Sequence, residues 1–362
     1  MKEYVVEREN MFLEYVKNWN NQNIILFGAG EAARRIYMFL RENNLQDHVD
    51  ICVQSDYVEK ASRASWLVDG ISVNSFEEII GTGKKYDVIM GFAGWDIEFF
   101  KKYNNIDQIY NLDVFSGIVL NGYLTNIPYA FYENNADRID NVYYKLQDDL
   151  SRRCYSGYIN QRISGKYSYS DNMVHDNQYF DAIIDYTKIG TFVDVGAFDG
   201  KDTLNYFERC GESGKSILLE PDLDNQMRIK HNLDAFNGRY KLIGKGAWDQ
   251  EKELSFKAEG NMQSGISEDG NVIIRVDSLD HLLAAEKRID LIKMDIEGSE
   301  LIALHGAKSI IKAFHPALCI CIYHKPEDLF TIPEFILSVD PSYKLYVRRY
   351  STQCCETVLY AV

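Results

Sequence analysis

The chain has 362 residues, more than the roughly 250 to 300 at which one hydrophobic core stops growing, so two domains are expected. Hydrophobic residues make up 46% and charged residues 26%, which excludes wholesale disorder and a collagen-like repeat. With 39 Lys and Arg against 54 Asp and Glu the formal charge is -15, which argues against duplex nucleic acid or an anionic bilayer as the main partner, because both require a basic footprint.

In chain order, the segment MKEYVVERENMFLEYVKNW carries acids and an amphipathic set (Val5, Phe12, Tyr15, Val16, Trp19) where a secretory signal needs a cationic start and an unbroken apolar run. No stretch approaches the ~20 apolar residues that span a bilayer. Residues 1–118 alternate short apolar runs with helix-length segments: NIILFGAG, EAARRIYMFLRENN, VDICVQ, YDVIMGFAG, IEFFKKY and IDQIYNL. That alternation is the pattern of βαβ units on a parallel sheet, and a Rossmann-like domain is expected. Gly28-Ala29-Gly30-Glu31-Ala32-Ala33 follows the first strand and opens a helix, so Gly28 and Gly30 are candidate nucleotide-binding residues. Two features argue against NAD. Gln54-Ser55 stands where an acid would hold the ribose, and Glu31 places negative charge where a pyrophosphate would lie, with Arg34 and Arg35 able to offset it. A nucleotide-sugar site and a scaffold or homo-oligomerisation role both remain open for this domain.

Residues 119–177 lack a clear period and are dense in tyrosine (Tyr123, Tyr129, Tyr132, Tyr143, Tyr144, Tyr155, Tyr158, Tyr167, Tyr169), with one helix expected over ADRIDNVYYKLQDDLSRRC. They read as a packing connector. Residues 178–362 are again α/β, with strand-like TFVDVG, KSILLE, YKLIGKGAW, LIKMD and ALCICIY between helical segments. SELIALHGAKSIIKAF reads as a single helix whose Leu301, Leu304, Ala307, Ile311 and Phe314 form one apolar stripe. The closing strands YKLYVRRY and ETVLYAV are joined by a turn and must therefore be antiparallel. Arg348 and Arg349 in the first of them suggest an exposed strand face with snorkelling side chains. The fold expected is α/β with two Rossmann-like domains, the second a class I methyltransferase sheet ending in an antiparallel hairpin.

The seven cysteines form no CxxC pair and no zinc-type spacing, and their odd count argues against a disulfide framework, so a reducing, cytoplasmic setting is expected.

Asp194-Val195-Gly196-Ala197-Phe198-Asp199-Gly200 ends a buried strand and opens a helix. Gly196 allows a tight turn close to a ligand, and Gly200 with Asp202 and Thr203 starts the helix. An acid before the first glycine suits a cationic group, such as the amino group or sulfonium of S-adenosylmethionine, better than a pyrophosphate. One βαβ spacing later, Glu220-Pro221 puts a carboxylate at the tip of the second strand, where ribose hydroxyls are held in Rossmann-type crevices. Asp295 and Glu297 lie two residues apart after the fourth strand, and His324 follows the fifth. Methyl transfer to a hydroxyl needs one proton removed, which a positioned carboxylate or His can take. The alternatives are that Glu297 caps a helix and His324 is a polar loop residue. A divalent metal, if one is used, has Asp295, Glu297 and His324 as its candidate ligands.

The second half resembles the FkbM family of S-adenosylmethionine-dependent methyltransferases through FVDVGAFDGKDT, LLEPD, GKGAW, SLD and IKMDIEGSELIALHGA, in that order. The resemblance implies that Asp194, Gly196 and Gly200 line the methionine end of the cofactor, Glu220 the ribose, and Gly246, Ala247 and Trp248 the adenine side, with Ala197, Phe198, Thr203 and Pro221 as further cofactor-binding residues. It further implies an O-methyltransferase acting on a small-molecule or lipid-linked sugar or glycan precursor, with Asp295, Glu297 and His324 on the acceptor side. An oxidoreductase or epimerase working through the Gly28 loop and a non-catalytic cofactor-binding scaffold are the alternatives.

Overall fold

The structure is a computed structural model that describes all residues except 65–66, 68–70, 93–97, 112–126, 171, 258–264, 267–269 and 271. Tyr123, the expected boundary at 118/119, the end of YDVIMGFAG and the start of IEFFKKY lie outside the described residues. The chain forms two compact units. One comprises Met1–Ala136, Ser156–Asn172 and Thr352–Cys354; the other comprises Asp137–Tyr155, Met173–Ser351 and Cys355–Val362. Among the described residues no helix is long and apolar enough to cross a membrane.

The first unit contains β1 (Asn23–Phe27), β2 (Val49–Val53), β3 (Val73–Ser75), β4 (Tyr86–Met90) and β5 (Ile106–Tyr110). They form one parallel sheet in the order β3-β2-β1-β4-β5, the doubly wound arrangement expected from the alternation of runs. The helix Glu31–Glu42 buries Ala33, Ile36, Tyr37 and Leu40 against one face. Its apolar positions recur at three- and four-residue steps, so the stripe and the core coincide. The amphipathic N-terminal segment forms the helix Met11–Lys17, started by Asn10, whose side chain accepts from the N–H groups of Phe12 and Leu13; Phe12 joins the same core.

The second unit contains β6 (Thr191–Val195), β7 (Lys215–Leu219), β8 (Tyr240–Ile243), β9 (Gly246–Trp248), β10 (Lys252–Lys257), β11 (Gly265–Ile266), β12 (Val272–Ser278), β13 (Leu291–Met294), β14 (Ala317–Cys321), β15 (Leu345–Arg349) and β16 (Thr357–Ala361). Seven of these make a sheet in the order β15-β16-β14-β13-β6-β7-β8. Only β16 runs against its neighbours, inserted between β14 and β15. This is the class I methyltransferase topology. The central strands β6, β13 and β14 are buried almost throughout, as continuous apolar runs in a parallel sheet should be.

Four expectations need correction. YKLIGKGAW is two strands, because the chain turns at Gly244-Lys245, where the Lys245 ammonium reaches Asp277 of β12 at 2.9 Å; β9 then pairs with β12 in a separate sheet ordered β11-β10-β12-β9. SELIALHGAKSIIKAF is two helices, Glu300–His305 and Lys308–Phe314, broken where Gly306 presses against the Trp248 carbonyl. ADRIDNVYYKLQDDLSRRC is likewise divided: Leu146 forms a β-bridge with Leu345, and Asp148 accepts from the Ser151 N–H at 2.6 Å to start the next helix. Arg348 and Arg349 are buried, at 5% and 0% exposure. Arg348 is held by Asp148 at 2.7 Å, Asp181 at 3.3 Å and the Ser151 hydroxyl at 2.8 Å, which compensates the charge inside the fold.

Candidate functional site

The parallel strands β6, β7, β13 and β14 deliver their carboxyl ends to one edge of the sheet, the side on which open α/β sheets bind ligands. After β6 the chain turns at Gly196, in the left-handed region at φ +78°, and at Phe198 and Gly200, also at positive φ. The Gly196 and Ala197 N–H groups donate to Leu219 O at 3.1 and 3.2 Å, and a β-carbon on Gly196 would overlap the Asp295 carbonyl oxygen. Glycine is therefore needed here for conformation and for space.

Asp194 is wholly buried, and its two oxygens are engaged: Oδ1 lies 3.2 Å from Lys293 Nζ and Oδ2 accepts from Thr203 Oγ1 at 3.0 Å. Lys293 Nζ also donates to Gly196 O at 2.8 Å and lies 3.2 Å from Asp202. Burial lifts the Asp194 carboxyl to about 6 against the pull of Lys293. The pair thus braces the glycine turn from inside the sheet.

Glu220, 5% exposed, accepts from Phe198 N–H on Oε2 and from Asp222 N–H on Oε1, both at 2.9 Å. Burial raises its carboxyl to about 7, and those two N–H groups oppose the rise. Asp222 starts the following helix by accepting from Asn225 N–H at 2.9 Å. Gly246 faces Pro221 and Val276, Ala247 is buried, and the Lys252 ammonium lies 4.4 Å from the Trp248 ring centre. The turn after β6, Glu220-Pro221 and Gly246-Ala247 thus all lie at or just beyond strand ends. A carboxylate at the tip of β7 beside a glycine turn fits the ribose and amino-acid parts of a nucleoside cofactor.

The acid and histidine candidates do converge. His324 Nε2 lies 3.4 Å from Asp295 Oδ1 and 3.6 Å from Glu297 Oε2, while Nδ1 lies 2.9 Å from Glu300 Oε1. The loop reaches this shape because Glu297 and Gly298 both adopt positive φ, at 56° and 88°. Glu300 is fully buried and also accepts from Ile296 N–H at 2.8 Å, so it fixes the loop and the imidazole together. Burial pulls the His324 pKa down, but Glu300, Asp295 and Glu297 outweigh it and hold it at about 10.

Two participants were not singled out from the sequence. Glu300 falls inside the IKMDIEGSELIALHGA run, and an acid at a helix start was the available signal. Tyr179 donates to Asp295 Oδ2 at 2.7 Å and touches Cys321 Sγ at 3.3 Å. It lies two residues past the tyrosine-dense stretch, and no local pattern marks it.

In the first unit the Gly28 N–H donates to Cys52 O at 2.8 Å, and the Phe92 ring stands 2.8 Å from where a Gly28 β-carbon would lie. Glu31 is bound by Arg34 at 2.6 Å and Arg35 at 2.9 Å; the Arg34 hydrogen bond holds its carboxyl down at about 2. At the end of β2, Ser55 Oγ donates to Glu77 Oε2 at 2.8 Å, so a carboxylate reaches that position from another element. A cavity of about 560 Å³ in this unit is lined by residues such as Glu14, Tyr15, Asp87 and Tyr110 and includes none of the glycine turn.

Residues 194–344 match the family model of the Methyltransferase FkbM domain. That stretch, less than half of the chain, is similar to the methyltransferase domain of FkbM proteins. A methyltransferase domain of this kind implies S-adenosylmethionine as the methyl donor. Among solved structures, a methyltransferase FkbM from Methylobacillus flagellatus KT is similar with a TM-score of 0.77 at 20% identity, over 98% of this chain and 94% of that one, and shows the shared fold. Fibrillarin from Aeropyrum pernix, in complex with natively bound S-adenosyl-L-methionine, gives 0.33 at 8% identity over 49% and 69% of the two chains. A methyltransferase from Geobacter sulfurreducens gives 0.33 at 13% identity over 62% and 95%. Likenesses that low carry no argument. No curated protein matches the sequence.

Proposed function

We propose that the FkbM-like domain transfers a methyl group from S-adenosylmethionine to a hydroxyl of a sugar or glycan precursor, either a free small molecule or a lipid-linked one. The observation that carries this reading is the contact of Gly196 with the Asp295 carbonyl, which joins the glycine turn to the Asp295, Glu297 and His324 cluster. Asp194 and Thr203 brace the methionine-side turn formed by Gly196, Ala197, Phe198 and Gly200; Glu220 and Pro221 take the ribose; Gly246, Ala247 and Trp248 take the adenine side. The cofactor supplies an electrophilic methyl carbon on a sulfonium. Asp295, Glu297 and His324 orient the acceptor hydroxyl, the two carboxylates accept its proton, and Glu300 holds His324 Nδ1 so that Nε2 faces the carboxylates.

The organisation that goes with this reading is a Rossmann-like domain over 1–118, a tyrosine-rich connector over 119–177 and the methyltransferase domain over 178–362. The seven cysteines, present as thiols and six of them buried, support a cytoplasmic setting. A nucleotide-sugar at Gly28 and Gly30 and a homo-oligomer through the first domain belong to the same proposal.

Calorimetric titration with S-adenosylhomocysteine, and separately with UDP and NAD, tests it. Binding of the first ligand is expected, lost in Glu220→Ala and kept in His324→Ala, which loses turnover. Uptake of NAD without S-adenosylhomocysteine would transfer the activity to the Gly28 loop and end the proposal.

A further inference from the structure

We infer that Gln178 and Glu356 hold a second hydroxyl of the acceptor, which makes the substrate a vicinal diol, such as two neighbouring hydroxyls of a sugar ring. One hydroxyl is methylated at Asp295 and Glu297, and the other is gripped by the Gln178-Glu356 pair. The inference rests on reading the Asp295 cluster as the acceptor side of a methyltransferase, and it narrows the acceptor from any hydroxyl to a neighbouring pair.

The direction of β16 brings Glu356 to the ligand edge. Parallel strands reach that edge with their carboxyl ends, but β16 runs antiparallel to β14 and reaches it with its first residues. Cys321 at the end of β14 pairs with Val358, and the Ile322 N–H donates to Thr357 O at 3.0 Å. Glu356, one residue earlier, therefore lies beside the start of the loop that carries His324. Its backbone takes a φ of +50°, a left-handed conformation that costs a non-glycine residue, and its carbonyl accepts from the Tyr350 N–H at 2.9 Å. Burial and then the Asp295 charge raise the Glu356 carboxyl, against Gln178, His324 and Lys293, so the side chain stands among the groups of the acceptor side.

Hydrogen bonds tie the pair to the reacting side. Gln178 Nε2 donates to Glu356 Oε2 and, at 2.9 Å, to the Tyr179 hydroxyl, which donates on to Asp295 Oδ2 at 2.7 Å. Both amide protons are thereby engaged, and a ligand hydroxyl would donate to Gln178 Oε1 and Glu356 Oε1. Burial divides the cluster into supports and tips. Tyr179, Glu300 and His324 are buried, whereas Asp295, Glu297, Gln178 and Glu356 each keep a part exposed, where a ligand can touch them. Asp295 and the Gln178-Glu356 pair stand two hydrogen bonds apart, joined by one phenol hydroxyl. Two neighbouring ring hydroxyls, each donating to one of these acceptors, span that gap, while a lone hydroxyl serves only one side. An acceptor lacking the second hydroxyl leaves the pair without its donor, which is how a site discriminates against a deoxy analogue. The second contact also fixes the first hydroxyl in line with the methyl donor. The pair itself only binds: the proton of the methylated hydroxyl goes to the carboxylates of Asp295 and Glu297.

Full-length protein and S-adenosylmethionine carrying a labelled methyl group would be given methyl α-D-mannopyranoside, methyl β-D-galactopyranoside and methyl α-L-rhamnopyranoside, each beside its monodeoxy analogues. Methylation of a glycoside is expected, and loss of the hydroxyl next to the methylated one should lower kcat/KM about 10- to 100-fold. Glu356→Met and Gln178→Met should each lower kcat/KM for the parent glycoside by about tenfold or more and for that deoxy analogue by less than about threefold, so that the preference disappears. Calorimetry should show S-adenosylhomocysteine affinity unchanged in both. Equal losses on parent and deoxy analogue would mean that the pair merely supports the fold of the site, and would overturn the inference. Circular dichroism checks folding; if Glu356→Met does not fold, Gln178→Met and the deoxy series in the unaltered chain carry the test, and a rate indifferent to every deoxygenation overturns the diol. So does a protein that binds S-adenosylhomocysteine but neither methylates these glycosides nor contacts them in saturation-transfer NMR, a result that leaves the cofactor reading standing. Failure to bind S-adenosylhomocysteine is the one result that removes the proposed function and the inference together.

Discussion

The main-chain carbonyl of Asp295 fills the space that a side chain on Gly196 would occupy. Two strand ends are thereby locked together, since the Asp295 N–H also donates to Val195 O at 3.2 Å. Alanine at 196 would face both this overlap and a φ of +78°. Gly196→Ala should lower stability by on the order of 3 kcal/mol and abolish binding of S-adenosylhomocysteine. Urea denaturation read by fluorescence, with calorimetry on the same sample, checks both; an unchanged midpoint would show that the loop has room to move.

Glu220 should couple cofactor binding to pH. Its folded carboxyl sits at about 7 because of burial, whereas an unfolded glutamate titrates near ~4.3. Between those values the native state holds the extra proton, so this group's effect on stability is least unfavourable below about pH 4 and worsens as pH rises through 7, by on the order of 3 kcal/mol. Ribose hydroxyls donating to the carboxylate favour its ionised form, so binding should release a proton near pH 6.5 and strengthen up to about pH 8. Calorimetry in two buffers of different ionisation enthalpy measures that proton. Its persistence in Glu220→Gln would assign it to another group.

The βαβ alternation was legible because burial of parallel strands forces continuous apolar runs such as TFVDV and LIKM, and the hairpin was legible because a short turn forbids a parallel return. What escaped depended on distant partners. The break at Gly306 follows from the Trp248 carbonyl, 58 positions earlier in the chain, and the burial of Arg348 from Asp148 and Asp181, which no local pattern ties to it. The same holds within the site. Asp295, Glu297 and His324 end strands and could be found by position, whereas Tyr179 reaches Asp295 only through tertiary folding.

Asp194 and Lys293 give a test of roles. Their buried ion pair, at 3.2 Å with both side chains nearly inaccessible, should be worth little over an apolar pair but cost much when halved. Lys293→Met leaves Asp194 uncompensated and should destabilise the protein by about 3–5 kcal/mol. Asp194→Asn should cost less, because the amide can still accept from Thr203. If Asp194→Asn instead kept full stability and lost cofactor affinity, direct contact with the cofactor would replace the bracing role.

Tyr179 should act as a positioning residue. It is buried at 4% exposure, its backbone is held at a φ of +67°, and its hydroxyl donates to Asp295 at 2.7 Å while accepting from Gln178 Nε2 at 2.9 Å. Burial, then the Asp295 charge, pushes the phenol well above its usual range, so it stays a neutral donor and never serves as the base. Removing the hydroxyl frees Asp295 to rotate without touching the glycine turn or Glu220. Tyr179→Phe should therefore cost about 1 kcal/mol of stability and lower kcat roughly tenfold, with S-adenosylhomocysteine affinity unchanged. Steady-state kinetics with a methylated acceptor, beside the calorimetric titration, separate the two effects. A loss confined to cofactor affinity would mean that Tyr179 supports the turn after β6, and an unaltered kcat would mean that Asp295 is held well enough by His324 alone.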